Sequence, residues 1–188
     1  VHTLSIIDTG FLNLNDNDLI IDYTGASPLL PRIFNYLKSG YNAGDWRGLG
    51  IDSKSAHLAS LTPHPTSLGY AEASALALGT FDGQLMDGST IVIRYTWSGD
   101  ANLDGLVKAR DFNALATNFG GTGEFWHQGD FNYDSIVNTL DFTALATNFN
   151  QVLPAPALAT FVPEPAAVIA MLIGYYCMGR HPDEIRNI

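Results

Sequence analysis

A chain of 188 residues has room for one domain of ordinary size and a small companion, and 46% apolar against 15% charged residues excludes a disordered polymer. Its 19 acids against 9 bases, with a formal charge of -10 and a pI of 4.6, exclude a nucleic-acid backbone as its partner and suit divalent cations instead. The one cysteine, Cys177, rules out an intrachain disulfide, so any staple must be of another kind.

The chain opens at Val1 with neither an initiator Met nor a signal segment, which reads as a piece of a longer polypeptide, so the missing signal segment says nothing about export. Residues 1–97 are expected to be mainly β with one short helix, either a β-rich domain or the end of a longer β-rich stalk. Apolar or alternating runs occur at Leu4–Ile7, Phe11–Leu14, Leu19–Tyr23, Leu68–Leu78 and Thr90–Trp97. The helix follows Ser27 as a cap and Pro28 in its first turn, shows an apolar face of Leu29, Leu30, Ile33, Phe34 and Leu37, and ends at Gly40. Tyr41–Pro65 shows no sustained period and reads as loops around Trp46 and Ile51.

Catalysis would need a constellation in this region. Asp45, Asp52, Glu72 and Asp82 stand in no acid/base context, and His57, His64 and His127 lack metal-ligand spacing. Ser53, Ser55 and Ser60 lie in no nucleophile elbow. The chain therefore reads as non-catalytic. Trp46, Tyr41 and Tyr70 offer aromatic faces on which a polysaccharide could stack.

From Gly99 the text changes. Gly99-Asp-Ala-Asn-Leu-Asp-Gly-Leu-Val-Lys-Ala-Arg-Asp-Phe-Asn-Ala-Leu-Ala-Thr-Asn-Phe119 recurs 30 residues later as Gly129-Asp-Phe-Asn-Tyr-Asp-Ser-Ile-Val-Asn-Thr-Leu-Asp-Phe-Thr-Ala-Leu-Ala-Thr-Asn-Phe149. Calcium takes six to eight oxygens, which a twelve-residue loop supplies from positions 1, 3, 5, 7, 9 and 12. The first copy offers Asp100, Asn102, Asp104, the Leu106 carbonyl and Asp111, with Gly105 at the sharp turn and Lys108, which has no oxygen to give, at position 9. The second offers Asp130, Asn132, Asp134, the Ile136 carbonyl, Asn138 and Asp141. Ser135 stands there in place of glycine, which costs about 1–2 kcal/mol if the turn is left-handed. Two calcium ions are expected.

Each loop runs into a helix with one apolar stripe, Phe112, Leu115, Ala116 and Phe119 in one and Phe142, Leu145, Ala146 and Phe149 in the other, and the stripes are expected to pack together. Val107 and Val137 are expected to meet in a short β-like contact between paired loops. Neither loop is preceded by a helix. Doubled loop-helix repeats with Asp at position 12 resemble type I dockerin modules, partners of cohesins that also occur on other exported bacterial proteins. The resemblance covers residues 98–150 and implies a small α-helical domain. In that family positions 10 and 11 read the partner; here they are Ala109 and Arg110, then Thr139 and Leu140. Two readings stay open: a face for a cohesin-like protein, or a structural unit with an intramolecular partner.

A Pro/Ala-rich linker, 151–161, leads to a tail, 162–188, in which Pro163-Glu164-Pro165 precedes 14 apolar residues, Ala166–Gly179, and Arg180. This order resembles a PEP-CTERM sorting signal. The resemblance implies processing by an exosortase-type enzyme, transient membrane contact through the tail and display at a bacterial surface or in its matrix. A second reading treats the chain as the accessory part of a protein that binds or degrades polysaccharide, with its catalytic region elsewhere.

Overall fold

The computed structural model describes residues 4–7, 9–23 and 29–154. Ser27, Pro28 and the 162–188 tail with its Pro-Glu-Pro motif lie outside them. Val1–Leu153 form one compact unit.

The elements in chain order are β1 (Phe11–Asn13), β2 (Leu19–Asp22), α1 (Leu29–Tyr41), β3 (Gly50–Asp52), α2 (Lys54–Ser60), β4 (Thr66–Glu72), β5 (Thr80–Phe81), β6 (Gln84–Leu85), β7 (Thr90–Trp97), α3 (Ala109–Asn118) and α4 (Thr139–Thr147). The architecture is mixed α/β, with three small sheets and four α-helices among the described residues. β7 lies between β2 and β4 in an antiparallel sheet, β1 pairs with β3 in parallel, and β5 with β6 forms a hairpin.

Two expectations for the first half need correction. The region is not mainly β with one helix, because Tyr41–Pro65, taken as loops, holds β3 and α2. α2 has only seven residues, too few to show a period, yet its start is marked by Ser53, whose side chain accepts from Ala56 N–H at 2.9 Å. Gly40 also does not end α1, which runs on to Tyr41. A Cβ on Gly40 would lie 1.8 Å from the Ile51 carbonyl oxygen, so this glycine lets the helix backbone approach β3. Pro31 is tolerated because it sits in the first turn of α1, where its missing N–H has no intrahelical acceptor.

The expected boundary after Trp97 falls where β7 ends, but the core does not break there. Ile21, Ile33, Ile51, Leu68, Tyr70 and Ile93 from the first half share one buried cluster with Leu103, Val107, Trp126, Phe131 and Tyr133 from the second. The even positions of the calcium-type loops cause this continuity. Ala101, Leu103, Phe131 and Tyr133 alternate with the oxygen-bearing residues, and all four are buried. The Tyr133 ring stacks on Tyr70 at 6.1 Å, and its hydroxyl donates to the Leu68 carbonyl of β4 at 2.7 Å.

The two candidate calcium loops

The acid at position 1 organises each turn from within. In the first loop Asp100 accepts main-chain N–H bonds from Asp104 at 3.2 Å and Gly105 at 2.8 Å, and a hydrogen bond from the Thr96 hydroxyl of β7. In the second, Asp130 accepts from Asp134 at 3.1 Å and Ser135 at 2.9 Å. Asn102 and Asn132 each accept from the amide two residues on and donate to the Asp104 or Asp134 carboxylate at 3.0 Å. Asp104 and Asp134 in turn accept from Leu106 and Ile136.

Position 12 folds back on the start of its own loop. Asp111 accepts from Ala101 at 2.9 Å, Asn102 at 3.2 Å and Lys108 at 2.8 Å. Asp141 accepts from Phe131 at 2.8 Å and Asn138 at 2.9 Å. The same carboxylates thus close the loops and cap α3 and α4 from their third helical positions. Asn138 behaves differently from the expected oxygen donor: its Oδ1 accepts from Leu140 N–H at 2.8 Å as a helix cap, and its Nδ2 donates to the Ile136 carbonyl at 3.3 Å. Lys108 is exposed.

The backbone of the two turns is alike. Gly105 has φ 81° and Ser135 φ 68°, and position 4 is also left-handed, with φ 60° at Leu103 and 59° at Tyr133. Ser135 therefore sits where a Cβ is strained, and Ser135→Gly is expected to raise stability by about 1 kcal/mol. Urea unfolding of the two proteins side by side measures it, and an unchanged or lower midpoint would count against strain at this turn.

The repeats interlock crosswise. A Cβ on Gly99 would lie 2.6 Å from the Leu145 Cα of α4, and one on Gly129 would lie 2.8 Å from the Leu115 Cα of α3. Asn118, at the end of α3, donates to the Gln128 carbonyl at 3.0 Å, just before the second loop. Asn148, just after α4, donates to the Ser98 carbonyl at 2.8 Å, just before the first. Val107 and Val137 do make β-like contacts, but not with each other. Val107 exchanges main-chain bonds with Asn150 and Gln151, and Val137 with Gly120 and Gly121, so each loop is laced to the segment that follows the other helix. Of the two stripes only Leu115 and Leu145 are buried; Phe112 meets Phe142 edge-on at 6.5 Å, but both of these rings, Ala116, Phe119, Ala146 and Phe149 stay exposed, so the stripes pack together only in part. The expected partner-reading residues Ala109, Arg110, Thr139 and Leu140 are all exposed at the starts of these helices.

Four loop carboxylates, Asp100, Asp111, Asp130 and Asp141, are buried. Desolvation is the largest influence on each; it pushes Asp100 and Asp130 up to about 7 and raises Asp111 and Asp141. Among the described residues no group of three or more His, Cys, Asp and Glu side chains is assembled that could hold a metal ion. The donor set of each loop is mixed, adding an asparagine oxygen and a main-chain carbonyl to the acids. Oxygens of this kind, on turns that already hold the acids inward, suit a hard cation such as calcium and not zinc or copper.

Residues around the loops were not foreseen. Arg94 of β7 donates to the Leu103 carbonyl at 2.8 Å, and the Trp126 indole N–H donates to the Asp100 carbonyl at 2.7 Å. Only the doubled Ala-Thr-Asn-Phe hinted at the role of Asn118 and Asn148. Of the candidate catalytic residues, Asp52 and His57 line one cleft and His57 Nδ1 lies 2.7 Å from the Asp45 carbonyl oxygen, whereas Glu72 accepts from the Tyr23 hydroxyl and His64 Nδ1 bonds the Thr147 carbonyl. Trp46 and Tyr70, considered as exposed sugar platforms, are buried. No described helix is long and apolar enough to cross a membrane.

Among solved structures the chain is similar to a type II cohesin-dockerin domain from Bacteroides cellolosolvens, at 34% identity over 31% of this chain and 92% of that one, with a TM-score of 0.28. That score is too low for the superposition to carry an argument. No protein-family model matches the chain, and no curated protein does.

Proposed function

We propose that the chain is a non-catalytic calcium-binding part of an exported bacterial surface protein, and that its two loops hold one calcium ion each. Asp100, Asn102, Asp104, the Leu106 carbonyl and Asp111 hold the first; Asp130, Asn132, Asp134, the Ile136 carbonyl and Asp141 hold the second, with Asn138 beside it. Calcium supplies the positive charge that the buried acids lack. The observation that carries this reading is the near-identical folding of two loops around inward-held acids, down to the left-handed turn that even Ser135 adopts. The exposed Ala109, Arg110, Thr139 and Leu140 then form a face on which a cohesin-like partner docks.

Calorimetric titration with calcium is expected to show two sites, and no binding at millimolar calcium would sink the proposal. Asp111→Ala is expected to weaken the first site by at least about tenfold, through loss of a ligand and of three main-chain bonds. The second site should stay measurable in the same titration.

A further inference from the structure

The chain has a second concave feature far simpler than the loops. Phe11, Arg47, Leu49, Asp52, Lys54 and His57 line an open cleft of about 560 Å3, within the range of small-molecule sites. Phe11 and Asp52 reach it from the paired strands β1 and β3, where Phe11 stands opposite Gly50 and Asn13 opposite Asp52. The wall formed by residues 46–49 is held tightly against α1: Trp46 has φ 53°, and a Cβ on Gly48 would lie 1.8 Å from the Ser39 carbonyl oxygen. This wall is preformed.

Asp52 is the unusual member. It is 9% exposed, its Oδ1 has no hydrogen-bond partner, and burial raises its carboxyl above the ordinary value. A buried carboxylate oxygen without a donor is costly, and Asp52 is a lining residue of this cleft. His57 Nδ1 lies 2.7 Å from the Asp45 carbonyl oxygen, which can only accept, so that nitrogen carries a proton, and in the tautomer this selects Nε2 is the acceptor. Arg47 and Lys54, two of only nine Lys and Arg in an acidic chain, supply cationic donors at the rim. The Arg47 amide bonds Asp45 Oδ1 and the Lys54 amide bonds Asn13 Oδ1, which fixes where both side chains begin. Phe11 and Leu49 are 63% and 46% exposed and give an apolar wall.

We propose that this cleft binds an acidic saccharide, a uronic acid residue whose hydroxyls donate to Asp52 and His57, whose carboxylate meets Arg47 and Lys54, and whose ring lies on Phe11. A neutral sugar brings no charge to the two cations, of which Arg47 already stands in the field of Asp45, and a simple anion brings Asp52 no donor. Of the three aromatics first considered for sugar binding, Trp46 belongs to the wall of this cleft, while Tyr41 and Tyr70 do not line it.

The test titrates the whole chain with short glucuronate and galacturonate oligosaccharides and with their neutral counterparts, followed by calorimetry and amide chemical shifts. Saturable binding of an acidic oligosaccharide is expected, with neutral counterparts at least about tenfold weaker. Phe11→Ala and Arg47→Ala alter exposed side chains that leave the fold intact, and each is expected to weaken binding by about tenfold. Asp52→Asn is expected to weaken it further, with circular dichroism checking that the variant is folded. Absence of saturable binding, equal binding of neutral and acidic sugars, or binding indifferent to Phe11→Ala and Arg47→Ala would each overturn the proposal.

Discussion

Removing calcium from the folded chain is expected to lower its melting temperature by about 10–20 °C and to melt strands and loops in one transition. A ligand present at a hundred times its dissociation constant stabilises a protein by about 2.7 kcal/mol per site, and each kcal/mol moves the midpoint of a chain this size by about 2–4 °C. The single transition follows from how the loops are tied to the sheet. Asp100 accepts from Thr96 of β7, Arg94 of the same strand donates to the Leu103 carbonyl, and Tyr133 donates to Leu68 of β4. Asn148, beyond α4, donates to the Pro65 carbonyl at 2.9 Å as well as to Ser98. A loop that opens must therefore leave buried donors and acceptors of β4 and β7 without partners, so metal free energy becomes folding free energy for the sheet. Thermal scans with calcium and with chelator, read by far-ultraviolet dichroism for the sheet and by tryptophan fluorescence for Trp126, check this. Loops that melt first over an intact sheet would show that the two halves are separate domains.

The loops could be read in advance because their chemistry is local. Asp, Asn, Asp, a turn and Asp within twelve residues, repeated in a second copy, mark one loop geometry, and the two loops do fold alike. Ser135 could be read too, since the left-handed requirement belongs to one residue and not to its surroundings. The even positions could not be read. Phe131 and Tyr133 look like incidental aromatics until β4, more than sixty residues earlier in sequence, is brought against them. For the same reason the end of β7 looked like a domain boundary: composition changes there, while the buried cluster runs through.

Other misses have the same origin. β4 was expected within the run Leu68–Leu78 but spans Thr66–Glu72, and because it is buried along most of its length no alternation marks where it begins and ends. α2 is too short to show a helical period, and Gly40 carries the signal of a stop while serving as a point of close approach. Valines at position 8 were rightly expected in β-like contact, but the partner depends on the crossing of the two repeats, which no single repeat encodes. The saccharide cleft is the extreme case, since Phe11, Arg47, Asp52 and His57 carry no motif and meet only through the β1–β3 pairing and the turn before β3.

Trp126→Ala is expected to lower unfolding free energy by about 3–5 kcal/mol, the largest effect of any single substitution considered. Trp126 is fully buried between the halves: it packs edge-on against Phe131 at 5.1 Å and beside Tyr133 at 5.5 Å, and Gly69 of β4 leaves the space its indole fills. Its N–H also holds the Asp100 carbonyl at 2.7 Å, at the first position of the first loop. Trp126→Phe separates these roles. It keeps most of the packing but leaves that carbonyl buried without its donor, for an expected loss of about 1–3 kcal/mol. The two variants should differ in a second way. With Phe, calcium affinity of the first loop should fall while that of the second is nearly unchanged; with Ala both should fall, because Phe131 and Tyr133 lose their support. Urea unfolding gives the first pair of numbers and calcium titration the second. Equal losses at both loops in Trp126→Phe would mean that the indole acts only as filling, and that the bond to Asp100 does not set the first loop.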